Sequence, residues 1–207
     1  WPADKRPYIG GLQNNSIIEL TLGYNGLGRL NGNETGSVVP GGGQGQGGAW
    51  GETGIFRMFE SAQGGQIAWL LPLALVLFVV GLWVTRTAAR TSTIRASYIA
   101  WGGWLVATAL TFSFMQGIFH QYYTVALAPA IAALVGAGLI DAHRSTSRVI
   151  HTVLAASVLG SSIWAYILLN RSSDFLPWLK FVVVAAGVIT FVLIMIHTFA
   201  PRLLNPK

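Results

Sequence analysis

The sequence contains no cysteine. Disulfides, thiolate metal sites and cysteine nucleophiles are therefore excluded from its chemistry. Charge is nearly as scarce. Only 10% of the 207 residues are Asp, Glu, Lys or Arg, against about 25% in an ordinary soluble domain. Seven are acidic, and none forms a close Asp-Asp or Asp-Glu pair. No HExxH, no GxSxG and no spaced histidine cluster occurs, so no dedicated metal site or hydrolase nucleophile is legible. No cofactor is identifiable, although the sequence is compatible with a divalent metal. No basic run carries interleaved aromatics, which argues against a nucleic-acid partner. The start, "WPADKRPYIGG", lacks both an initiator Met and a basic segment followed by an apolar run. It is not a signal peptide, and it reads as the middle of a longer protein.

What is abundant is apolar surface. Hydrophobic residues make up 53% of the chain and the mean hydropathy is +0.55, which places it in the membrane class. The net charge of +6 fits, because membrane proteins collect Lys and Arg on cytoplasmic loops. Composition changes sharply near Gly65. Residues 1–65 are polar and glycine-rich, with a low-complexity flexible stretch at Gly41–Gly48, "GGGQGQGG". Long apolar runs follow. A spanning helix needs about 20 mostly apolar residues, and five segments meet that length: 67–85, 97–115, 122–140, 149–169 and 178–199. They are expected to be helices, since open strands leave backbone groups unsatisfied in lipid. The fold class is thus all-α and polytopic, about five helices preceded by a glycine-rich outer loop. Pro129, in the middle of the third run, is expected to kink it.

Loop charges orient the chain. Arg86, Arg90 and Arg95 follow the first run, Arg144 and Arg148 the third, and Arg202 and Lys207 the last. The connection "QGIFHQ" has no Lys or Arg, and Arg171 is balanced by Asp174. The positive-inside rule puts the three basic segments and the C-terminus in the cytoplasm. Residues 1–65 then lie outside, beside the His120 and Asp174 loops.

Three stretches could carry chemistry on that outer side. "LGYNGLGRLNGNE" (Leu22–Glu34) has four glycines around Arg29. It lacks the Gly-Lys-Ser/Thr ending of a P-loop and the spacing of a dinucleotide fingerprint. It reads either as paired turns at Asn25-Gly26 and Asn31-Gly32, or as a site where Arg29 and backbone N–H groups hold a phosphate or sugar. "IFHQYYTVALAP" (Ile118–Pro129) offers His120 and Tyr123 as hydrogen-bonding groups for the same ligand, or an interfacial aromatic belt. "AWGETGIFRMFES" (Ala49–Ser61) reads as a short amphipathic helix on the membrane surface, with Glu52 and Arg57 among its charges.

Together, "YIGGLQNNSIIELTLGYNGLGRLNGNE", "WGETGIFRMF", "GGQIAWLLP" and "FSFMQGIFHQYYTVALAPAIAALVGAG" resemble the C-terminal half of bacterial, especially actinobacterial, family 39 glycosyltransferases. These are relatives of the protein O-mannosyltransferases. The resemblance runs from about Tyr8 to Gly138. It implies a partial GT-C membrane fold and a donor sugar, mannose-like, carried on a polyprenyl phosphate. The acceptor would be a glycan, lipid or protein outside the cytoplasm. It also implies a general base in an early loop that no segment here matches, so no catalytic residue is expected in this chain. The expected substrate-binding residues are Arg29, His120, Tyr123, Arg57 and Glu52. Two rival readings remain. One is a non-catalytic membrane subunit or scaffold with a glycan- or protein-binding outer loop. The other is a transporter piece, which the scarcity of intramembrane charge disfavours.

Overall fold

The computed structural model describes residues 2–7, 15–33 and 50–201. The glycine-rich stretch 41–48 and Glu34 lie outside them. All regular elements among the described residues are helical. Five are long: α1 (Leu71–Val84), α2 (Thr93–Phe114), α3 (Ala128–Arg144), α4 (Arg148–Asn170) and α5 (Leu179–Phe199). The chain is a polytopic helical membrane protein.

The five long helices occupy the five apolar runs, but they are not equivalent. The segment Gln121–Arg144, together with α4 and α5, is long and apolar enough to cross a membrane. Helix α1 is as apolar but has only 14 residues, about 21 Å at 1.5 Å per residue. Helix α2 has 22 residues, yet Arg95, paired glycines and several hydroxyl side chains dilute it. It is not among the helices that pass on both length and hydropathy.

Pro129 does not kink a continuous helix. The chain first winds as a 3-10 helix over Gln121–Leu127, and α3 begins at Ala128. Pro129 therefore sits in the first turn, where its missing N–H has no intrahelical partner to lose. The surface helix expected over Ala49–Ser61 does not form among the described residues of that stretch. The described part, from Trp50, is a run of turns with one 3-10 turn, Arg57–Phe59. The side chain of Arg57 points inward, which an amphipathic surface helix would not allow.

Helix α1 packs against α2, α3 and α4, and α5 lies almost wholly against α4. Glycines permit these close contacts. The Tyr98 ring of α2 covers Gly81 of α1, and Phe78 of α1 covers Gly102 of α2. A Cβ at Gly138 of α3 would lie 2.7 Å from the Cβ of Leu77. Lipid tails are as apolar as Leu, so such close packing, rather than escape from water, holds membrane helices together. At one end of the bundle Tyr98 donates to Asp141 Oδ2 (2.8 Å), joining α2 to α3. The opposite end carries the loops 50–64, 115–123 and 171–178.

Candidate functional site at the loop end of the bundle

The segment around Arg29 is not a pair of turns. Glu19–Leu27 winds as a wide π-helix that continues as α-helix over Gly28–Asn31. Its glycines explain why. The Gly28 N–H reaches back five residues to Gly23 O, and a Cβ on Gly28 would lie 2.7 Å from that oxygen. A Cβ on Gly26 would lie 2.8 Å from Thr21 O. Gly32 ends the helix at φ 76°, its N–H bonded to Gly28 O. That left-handed position suits glycine. Asn31-Gly32 is thus a helix stop, and Asn25-Gly26 lies inside the helix. Glu19–Asn31 forms one continuous element, the loop helix.

The loop helix docks through its last turn. Its carbonyls at Arg29 and Leu30 accept from the N–H groups of Gly117 (3.0 Å) and Gln116 (3.1 Å), which follow the end of α2. Terminal carbonyls without intrahelical partners are satisfied this way. Between the loop helix and α2 lies an open pocket of about 500 Å³, mostly apolar in lining. Leu22, Leu27 and Leu30 form one wall, Phe112 and Met115 the other. Arg29 and Tyr123 both line it, and the Arg29 guanidinium lies 4.6 Å from the Tyr24 ring centroid.

Arg57 forms the frame behind this pocket. It is 2% exposed. Its Nη1 donates to Phe112 O (3.1 Å) and Met115 O (2.6 Å), and its Nε to Trp50 O (3.2 Å). Phe112 and Met115 stand at the C-terminus of α2, where a cation also complements the helix dipole. The guanidinium rests over the Phe119 ring at 4.7 Å, a cation–π contact. Burial pushes Arg57 below its ordinary value, with nearby Glu60 opposing the shift; an arginine still stays charged at neutral pH.

Beside the pocket, His120 is the centre of an aromatic group. Its ring stacks on Tyr122 (5.3 Å, 9° between planes) and meets Tyr123 edge-on at 5.6 Å. Trp50 closes on it from another side at 4.7 Å. Glu52 is exposed, and its backbone N–H is held by Glu60 Oε2 (3.2 Å). Of the five residues expected at a site, Arg29 and Tyr123 share the pocket and His120 packs beside Tyr123. Arg57 is committed to backbone carbonyls. Glu52 stands on the surface two residues beyond Trp50.

Several contributors were not legible in the sequence. Gln63 is fully buried and donates to Trp50 O (3.0 Å). Arg171, which reads as a loop charge balanced by Asp174, instead donates to Phe59 O (2.9 Å) and Glu60 O (3.1 Å). Gln121 donates to Ala62 O (2.7 Å). These bonds gather the loops 50–64, 115–123 and 171–178 at one end of the bundle. The partners of Gln121 and Arg171 lie 59 to 112 residues away in sequence, so no local pattern could announce them. Among the described residues no group of three metal-ligating side chains forms.

The chain is 28% identical over 259 residues to the "Putative mannosyltransferase YkcB" of Bacillus subtilis (strain 168), covering 84% of this chain and 36% of that protein. It is 30% identical over 217 residues to the "Putative mannosyltransferase YycA" of the same organism, covering 69% and 31%. The chain is homologous to both. It spans about a third of the length of these relatives. No protein-family model matches the chain, and no solved structure does. These relatives support a glycosyltransferase-like function.

Proposed function

We propose that this chain is part of an integral-membrane glycosyltransferase. It would move a mannose-like sugar from a polyprenyl-phosphate donor to an acceptor outside the cytoplasm. The observation that carries this reading is the pocket between the loop helix and α2. A mostly apolar groove lined by Leu22, Leu27, Leu30, Phe112 and Met115, with Arg29 as its cation and Asn25, Thr111 and Tyr123 as its neutral polar side chains, suits a lipid phosphate. Isoprene units pack on the leucines, and the phosphate meets Arg29. In transfer, an acceptor hydroxyl oxygen bonds to the anomeric carbon as the bond from that carbon to the phosphate oxygen breaks. The phosphate leaves with the electron pair as polyprenyl phosphate, and the hydroxyl proton goes to a general base. Arg29 stabilises the charge that builds on the departing phosphate.

The orientation is part of the same proposal. The loops 50–64, 115–123 and 171–178 face outside, and the ends bearing Arg86, Arg90, Arg144 and Arg148 face the cytoplasm. The bilayer and the lipid-linked donor are then its first partners.

The test uses the full-length protein in lipid nanodiscs with radiolabelled mannosyl-phosphodecaprenol as donor. Arg29→Ala is expected to lower transfer about 100-fold, the scale of one lost donor at a developing oxyanion. Tyr123→Phe is expected to lower it less. Unchanged turnover in both variants would remove this pocket from the site. A non-catalytic subunit would instead retain lipid binding with no turnover in any variant.

A further inference from the structure

The aromatic group beside the pocket is built more firmly than a membrane anchor requires. Trp50 is only half-buried, yet two buried polar side chains converge on its carbonyl, Arg57 at 3.2 Å and Gln63 at 3.0 Å. Burying such groups is costly unless they are bonded, and an interfacial tryptophan needs no such fixing. Trp50 in turn packs edge-on against His120, and His120 stacks face to face on Tyr122. One face of the Tyr122 ring is thereby covered, and the residue stays 67% exposed. Tyr123 locks the arrangement, 4.8 Å from Tyr122 at 88° and 5.6 Å from His120.

We infer that the open face of Tyr122, held by His120 and Trp50, is the subsite for a pyranose ring of the acceptor. The negative face of an aromatic ring attracts the polarised C–H bonds on the apolar face of a sugar. Rigidly held rings lose little entropy on binding. Gln121, exposed and next in the chain to both His120 and Tyr122, is itself held, its Nε2 donating to Ala62 O (2.7 Å).

Position argues for an acceptor rather than a remote glycan. Tyr123 belongs to both places: it lines the apolar pocket and touches the His120–Tyr122 stack. A sugar on Tyr122 therefore lies next to the pocket in which the donor phosphate is proposed to sit, as the attacking hydroxyl must. The assignment rests on that donor reading for its role, but the binding itself can be tested apart.

The experiment is saturation-transfer NMR on the full-length protein in nanodiscs, irradiating aromatic protons, with α-1,6-mannobiose as probe. Wild type is expected to transfer saturation to protons on one face of a pyranose ring. Tyr122→Leu is expected to reduce that signal about fivefold, the scale of one lost ring contact. Tyr122→Phe is expected to keep it. No transfer in wild type, or an undiminished signal in Tyr122→Leu, overturns the assignment. Decaprenyl-phosphate binding by Arg29→Ala, measured in parallel, reads the donor pocket alone. Loss of sugar signal in Tyr122→Leu with lipid binding intact supports the subsite. Loss of both in Tyr122→Leu would mark a collapsed loop end and overturn it.

Discussion

Arg57 shows what a single residue does in this protein. Its three hydrogen bonds join Trp50 to the last turn of α2, and two of the carbonyls belong to pocket walls. Arg57→Met should leave those carbonyls buried without their donor, at a cost of about 3 kcal/mol. Thermal unfolding in detergent should show a midpoint well below wild type. Arg57→Lys should recover little, because one ammonium cannot replace a planar fork. A lysine variant as stable as wild type would contradict this role. Gly64 is a second such point. A Cβ there would lie 2.8 Å from Arg171 Nη1 and 2.9 Å from Phe59 O. Gly64→Ala should cost about 1–3 kcal/mol by overpacking, and pairing it with Arg171→Ala should recover part of that loss in the same unfolding assay. In the sequence, Arg57 was legible as a candidate cation and nothing more. Its direction was set by Trp50 and by α2 residues more than 50 positions away.

At the scale of the element, glycine decides which helices can form and meet. The loop helix depends on Gly32 as its left-handed stop and on Gly28 as its point of close approach. Gly32→Ala should strain that stop by about 1 kcal/mol, loosen the Arg29 side of the pocket and weaken decaprenyl-phosphate binding. Gly32→Asn should be tolerated better, since asparagine enters the left-handed region more easily. Equal binding by both variants and wild type would mean that the stop does not position the pocket. In the bundle, Gly81→Ala would drive a methyl into the Tyr98 ring. The ring must then move off Asp141, so the expected outcome is lower stability together with a Tyr98→Phe substitution that costs nothing further. If Tyr98→Phe stays fully destabilising in the Gly81→Ala background, the two contacts are independent. Asn25-Gly26 was legible as a turn and became helix. Its dipeptide preference is weaker than the docking of the last turn onto Gln116 and Gly117.

At the scale of the whole molecule, the proposed orientation decides which end carries the site. The absence of cysteine makes an introduced thiol unique within this stretch of chain. Ser173→Cys and Thr91→Cys sit in exposed positions at the two ends of the bundle. In intact cells, a membrane-impermeant maleimide should label Ser173→Cys and not Thr91→Cys. The reverse pattern would invert the proposed orientation and remove the outer-face site with it.

The sequence by itself determined the material of this protein. Runs of apolar residues and the scarcity of charge dictate membrane helices, because backbone groups in lipid must bond within the segment. Helical character, the places of the five long helices and the candidate cations all follow from that one-dimensional pattern. The tertiary structure decided the rest. It turned Arg57 inward, wound Glu19–Leu27 into a π-helix, moved Pro129 to a helix start and placed Tyr123 between the pocket and the Trp50–His120–Tyr122 group. Each outcome depends on contacts between segments distant in the chain. Their energies come from geometry, the reach of a guanidinium or the gap over a glycine, which residue order alone does not encode locally.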